Sequence, residues 1–287
     1  VFGKTRQAWY YHNTYHKNLQ MHHVIVVRLV KELRMLHPRI GTRKLFFLLQ
    51  VAFNEHQIKV GRDQLYTILD QYGLLVRIRK RRSITTNSNH SFYKYSNLIQ
   101  GLTLTRKNQL WVSDITYIRL QDGFAYLNLI TDAYSKKIVG YCLYATLSAT
   151  GTITALNEAI LIENPKCNQL IHHSDRGVQY CCTDYVDILR TQQIRISMSA
   201  KGDPYQNAIA ERINGILKEE YLLNQTFKNI EDARESTEKA IKIYNHKRPH
   251  NSLNYYTPIQ AHEITGIVNT TWKNYKNKPI DVQDNKK

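Results

Sequence analysis

No run of 18 consecutive apolar residues occurs in the 287-residue chain, and no charged, apolar and small-residue leader opens it. Neither a membrane-spanning helix nor a secretory signal is therefore read from it. Cysteine is scarce. The four present (Cys142, Cys167, Cys181 and Cys182) include no C-x-x-C pair, and the adjacent two cannot readily bridge without strain. That excludes a disulfide scaffold and a thiolate zinc site, and it reads as the reduced usage of a cytoplasmic protein. The early histidines His12, His16, His22 and His23 have no cysteine or acid cluster beside them, so a zinc site is not expected there either.

Acidic residues are the most uneven shortage. Residues 1–107 hold 19 Lys and Arg against 4 acids, a net of +15, whereas the remaining chain is nearly balanced at +2. A polyanion-binding surface is therefore expected in the first third, with nucleic acid favoured over an anionic membrane. Any chemistry that needs carboxylates belongs to the rest.

What the first third does contain is helical periodicity. Val26, Leu29, Val30, Leu33 and Leu36 recur at helix spacing until His37-Pro38, where the residue before proline leaves the helical region. A second helix is expected from Thr42, read as its N-cap, and a third from about Gly61 with Leu65, Ile68 and Leu69 as its apolar stripe and Gly73 as its stop. Two short helices with a tight connection suggest a helix-turn-helix reader, although a plain helical bundle has the same pattern. Arg43, Lys44, Arg62 and Gln64 lie at the helix starts, and Arg79, Lys80, Arg81 and Arg82 follow in a basic run. These are the expected DNA contacts.

From Leu110 the texture becomes β-branched and aromatic. "LWVSDITYIRL", "FAYLNLITDAY" and "KKIVGYCLYAT" read as an antiparallel meander, and helix, strand, helix, strand and helix follow. The expectation is an α/β fold with a mixed five-stranded sheet, helices on its faces, and an all-helical region in front. The division read from the chain is 1–83 helical DNA-binding region, 84–107 basic and polar linker, 108–268 catalytic domain with a helical extension, and 269–287 polar tail.

In that frame Asp114 lies mid-strand on the face of Val112, Thr116 and Ile118, and Asp175 lies just past a strand end, where α/β sheets collect ligands. Glu211 lies in a helix 36 positions later. An unpaired carboxylate inside a sheet costs several kcal/mol, so it needs a cation or hydrogen bonds. Three such groups from a strand centre, a strand end and a helix suit two Mg²⁺ ions, with Mn²⁺ as a substitute. Asp132 is a rival ligand, ranked lower because "DAYSKK" reads as a turn. His172 and His173 fit either proton-transfer groups or core histidines. Lys218 and Asn207 share the Glu211 helix face and are expected to meet DNA.

The motifs "WVSDITYI", "LITDAYSKKIVGY", "HHSDRGVQY", "SMSAKGDPYQNAIAERINGILKEEYL" and "YNHKRPHNSLNYYTP" resemble bacterial insertion-sequence transposases with a retroviral-integrase-type core, the second-reading-frame products of such elements. The resemblance implies a ribonuclease H-like fold, an acidic triad matched by Asp114, Asp175 and Glu211, and Mg²⁺-dependent cleavage of element ends followed by strand transfer. It also implies a homo-oligomeric synaptic complex and fusion to an upstream-frame partner, which an opening Val1 instead of Met fits. After the glutamate, Arg212, Ile213 and Asn214 stand where the family often has Ser and aromatics. A different class of reading is a DNA-binding regulator with an inactive core, and a third is a nuclease without strand transfer. The presence of all three carboxylates argues against a decayed core.

Overall fold

The computed structural model describes residues 5–76, 90–166, 169–199 and 207–267, without side chains for 8–20. Three helices open it: α1 (Arg6–Leu36), α2 (Thr42–Glu55) and α3 (Arg62–Gln71). α1 starts well before the apolar stripe that marks it in the sequence, because Arg6–Gln20 carries helix-compatible residues but no repeating apolar face. Thr42 is not the N-cap. Gly41 holds the extended capping conformation, and Thr42 is buried in the first turn without a side-chain capping bond. Gly73 does end the third helix, with a left-handed φ of 64°. Val26, Val30, Leu45, Leu49, Phe53, Leu65 and Leu69 close one small core among the three helices.

The sheet combines β1 (Leu110–Leu120), β2 (Gly123–Asp132), β3 (Ile138–Tyr144), β4 (Ile171–Ser174) and β5 (Arg195–Met198) in the order β3-β2-β1-β4-β5. β1, β2 and β3 pair antiparallel, and β4 and β5 add in parallel beside β1. This is the ribonuclease H-like arrangement. Parallel addition needs crossover helices. These are α4 (Ala149–Glu163) after β3, and α5 (Val178–Cys181) with α6 (Thr183–Thr191) after β4. α4 lies very close to the sheet at Gly140, where a β-carbon would run into the Ala155 carbonyl and the Ala159 methyl. α7 (Ala208–Glu220) and α8 (Ile230–Lys247) cover the other face. Ala233, Thr237, Ala240, Ile241 and Tyr244 of α8 are buried, as their spacing predicts.

Residues expected to be linker are, from His90 onward, packed on this domain. Tyr95, Leu98, Ile99 and Leu104 lie against its cores, and the Leu98 amide donates to Ser197 Oγ at 2.9 Å. The polar composition of 84–107 hid four irregularly spaced apolar anchors. The basic run Arg79, Lys80, Arg81 and Arg82 lies outside the described residues, as does the tail from 269.

The final short helix α9 (Pro258–His262) is pinned by a buried chain of polar groups. Ser135 Oγ lies 2.9 Å from His262 Nδ1, and His262 Nε2 lies 2.8 Å from Glu163 Oε2. The order mimics a hydrolase triad, but Ser135 is sealed from solvent and its hydroxyl donates to Asp132. It is a strut. Glu163, held by His262 and Lys137, stays ionised down to about pH 2 despite its burial.

Candidate active site

Asp114 lies in the middle of β1, where it pairs with Leu129 of β2, two residues beyond the last pairing of β1 with β4 at Val112. Its neighbour Ser113 faces the opposite side and meets a buried group of polar rings. His172 Nε2 lies 2.7 Å from Ser113 Oγ and 2.9 Å from the Tyr185 hydroxyl. His173 Nδ1 lies 2.8 Å from Ser197 Oγ. Both histidines are fully buried, so they brace β4 and do not shuttle protons to a substrate. Burial, with His173 second, pushes His172 down to about 3, and burial lowers His37 to about 4.

The sign of that shift gives a testable consequence. An unfolded histidine takes a proton near pH 6.5, whereas folded His172 resists until about pH 3. Its contribution is therefore present above pH 6.5 and is lost as pH falls from 6.5 toward 3, at about 1.4 kcal/mol per pH unit. Urea unfolding at pH 6.5 and pH 4.5 should differ by about 2.3 kcal/mol from His172, with His37 adding in the same direction. Equal stability at the two pH values would mean that His172 is protonated, or solvated, in the fold.

Opposite Asp114 runs α7, with the preceding Asn207 and its own Asn214 and Lys218 on the side facing β1. Asn214 Nδ2 donates to Asp114 Oδ2 at 2.8 Å, and Asn207 Nδ2 donates to the Ser113 carbonyl at 3.0 Å. Asn207 is thus buried as a cross-brace at the helix start. Asn214 is the site residue that the sequence reading did not select. Its spacing of three from Glu211 was the available signal. Lys218 is partly buried, and desolvation lowers it while the charge of Asp114 supports its ionised form.

Asp175 follows β4 and starts the turn into α5, with its Oδ1 accepting the Gly177 amide at 2.9 Å. Glu211 sits in the first turn of α7 and is exposed. Asp114 records both neighbours. Burial first, then the charge of Asp175 and more weakly that of Glu211, push its carboxyl up to about 7, against the pull of Asn214. Among the described residues, no three His, Cys, Asp or Glu side chains are drawn tightly enough to hold a metal ion. Two carboxylates about 5 Å apart repel by roughly 3 kcal/mol at an effective dielectric near 20, so closure of such a set requires a cation among them. The oxygen-only donors and the raised Asp114 carboxyl fit a hard divalent cation.

Asp132, the rival ligand, is fully buried and committed: it accepts from the Asn108 amide and from the amide and hydroxyl of Ser135. Lys44, expected on DNA, stands 3.7 Å from Glu220 with little exposure. Arg43 and Gln64 are exposed, and Arg62 is exposed while paired to Asp63 at 2.7 Å. Cys142, Cys181 and Cys182 are free thiols. No described helix is long and apolar enough to cross a membrane.

Two integrase core domain models match the chain, over residues 105–204 and 192–258. An uncharacterized 31 kDa protein of insertion element IS600 from Shigella sonnei is 37% identical over 242 residues, which is 82% of this chain and 87% of the relative. The transposase of insertion sequence element IS904 from Lactococcus lactis is 30% identical over 228 residues, 73% of this chain and 90% of that protein. Among solved structures, the HTLV-2 integrase catalytic core domain in complex with magnesium aligns with a TM-score of 0.44 at 20% identity, covering 55% of this chain and 97% of that one. The central strand, its acidic neighbours and the matched sequence lead to one assignment: the chain belongs to the bacterial insertion-sequence transposases with an integrase-type catalytic core, enzymes that cut and join DNA strands.

Proposed function

We propose that Asp114, Asp175 and Glu211 are the catalytic carboxylates of this transposase and together hold two Mg²⁺ ions, with Mn²⁺ able to replace them. The observation that carries this reading is Asp114: a carboxylate on the central strand, partly buried, in the field of Asp175 and Glu211 and tied by Asn214 to the helix that bears Glu211. When bound, such ions activate a water or 3′-hydroxyl and stabilise the leaving oxygen of an in-line displacement.

The protein's own part is placement. β1 fixes Asp114, Asn214 orients its carboxylate, and the Gly177 amide fixes Asp175. Glu211, exposed on the first turn of α7, is the carboxylate with the most freedom to close on an incoming metal and DNA. Lys218, beside Asp114, is suited to the phosphate at the cut end. The helical region, through Arg43, Arg62 and Gln64, and the basic run at 79–82 read the element ends. The division into 1–83, 84–107, 108–268 and 269–287 describes these tasks, with the second segment partly an arm of the catalytic domain. The reaction is cleavage at the ends of an insertion sequence followed by strand transfer, by a homo-oligomer in a synaptic complex, in the cytoplasm, with an upstream-frame polypeptide as a fusion partner.

The test is strand cleavage and joining on labelled element-end DNA with Mg²⁺. The wild type should cut and join, and Glu211→Gln should lose at least about 10³-fold of the rate, several kcal/mol of transition-state stabilisation, while binding the same DNA. Tight binding without reaction in either protein would instead support the regulator with an inactive core.

A further inference from the structure

The next face of α7 lines a cavity that the catalytic chemistry does not use. It encloses about 430 Å³ between α2, α7, the β2–β3 turn and the segment after α8. Lys44, Lys136, Arg212 and Arg248 line it, with Asn251 and Ser252 adding neutral polar groups. These cations come from four places in the sequence, so their convergence is a product of the fold.

Their charge is poorly balanced from within. Glu220 accepts both forks of Arg248 at 2.8 Å and stands 3.7 Å from Lys44. One carboxylate thus serves two of the four cations. The Lys136 ammonium donates to the neutral Ala133 carbonyl and has Asp132 as its supporting charge. Arg212 is exposed at the mouth. Burial pushes both Lys44 and Lys136 down to about 8. His250 on the wall, lowered by burial and then by Arg248, Lys44, Lys136 and Arg212, is held neutral. Cations are rarely gathered against their own repulsion without an anion to receive.

We propose that this cavity is a phosphate-binding site for the DNA backbone, placed beside the catalytic face so that the strand entering or leaving Glu211 is gripped one helix face away. The lining sets the ligand class. It offers cationic donors, an amide and a hydroxyl, and apolar floor from Ile209, Ile213 and Ile216. That combination suits a phosphodiester with its sugar and offers little to read a base edge. Arg212 follows Glu211 directly, so a shift of the first turn of α7 moves the carboxylate and the phosphate grip together.

The proposal rests on DNA as the substrate, and the test separates the two. Full-length protein is titrated with a fluorescent element-end duplex and with a scrambled duplex across a salt series. The double variant Lys136→Gln/Arg212→Gln leaves the Arg248–Glu220 pair intact, and Lys239→Gln on the exposed side of α8 is the charge control. Each phosphate that the variant no longer neutralises should reduce the salt slope of log K by about 0.9, so the double variant, which gives up the one phosphodiester of this cavity, should lose about 0.9. Where the curves meet near 1 M salt, that is about an 8-fold loss at 0.1 M, the same on both duplexes. The control should keep the wild-type slope.

An unchanged slope in the double variant overturns the proposal, as does an equal loss in Lys239→Gln. A loss confined to the element-end duplex would assign base reading and also overturn it. Wild-type protein with no DNA affinity would sink the DNA reading itself. Arg212→Gln alone, altering an exposed side chain, checks that any effect survives where folding is not at issue.

Discussion

Asp114→Asn should abolish strand cleavage, by at least about 10³-fold, and at the same time make the metal-free protein more stable. The two effects have one origin. Asp114 carries its charge into a partly buried position on the central strand, near Asp175 and Glu211, and burial is the larger part of what raises its carboxyl to about 7. An asparagine has nearly the same shape and no charge. Its Oδ1 can still accept from Asn214 Nδ2, the bond made now at 2.8 Å. The variant therefore keeps the Asn214 bond, weakens the one that the carboxylate accepts from the Ile115 amide, and loses both the desolvation cost and the repulsion. A gain of about 2 kcal/mol is expected, which for a domain of this size moves the melting midpoint by about 4–8 °C. Thermal unfolding in a chelating buffer measures it, and the cleavage assay measures the loss. A lower melting midpoint would show that the charge of Asp114 supports the fold and would remove the argument for a strained catalytic carboxylate.

The elements around Asp114 were legible because their signals are local. β1, β2 and β3 alternate β-branched and aromatic residues with turn residues between them, and each pairs with its chain neighbour. The carboxylates stood out because charge inside an apolar strand has few structural uses. The elements that went unread depend on distant partners. Lys44 reads as a helix-start cation suited to phosphate, and only the fold adds that it shares Glu220 with Arg248 at the wall of a cavity. Asn207 reads as a surface polar residue, and only the approach of α7 to β1 makes it a buried brace. The arm from His90 to Lys107 looks like linker because its apolar residues are spaced too irregularly to match a helix or strand period. Their partners lie near Ser197 and in the cores at both edges of β1 and β4. A truncation meant to isolate the catalytic domain should accordingly cut before His90, not after Lys107.

The same distant pairing produces the second large effect: Glu220→Ala should cost about 3–5 kcal/mol, among the heaviest losses available to a single substitution in this protein. Arg248 is almost entirely enclosed, at 1% side-chain exposure, and both its forks end on Glu220. Removing the carboxylate leaves a guanidinium in a low-dielectric setting with only uncharged neighbours, the neutral His250 and the Tyr244 ring 5.8 Å away. The damage should also spread along the chain. Glu220 is the residue through which the helical region docks: its carbonyl accepts the Arg39 amide at 3.1 Å, and its carboxylate faces Lys44. Next to it, Tyr221 meets His37 Nδ1 at 3.1 Å, and farther on Phe47 stacks on Tyr255 with ring centres 4.5 Å apart. Urea unfolding measures the cost, and hydrogen exchange of the α2 amides measures the docking. Glu220→Leu combined with Arg248→Met separates the two roles. If the pair matters mainly because either half alone is an uncompensated charge, the double variant should recover most of the stability. If α2 still exchanges faster in that stable double variant, the ion pair is what holds the DNA-binding helices in register with the catalytic helix α7. A cost below about 1 kcal/mol for Glu220→Ala would mean that Arg248 reaches solvent easily and that the corner between the two regions is open.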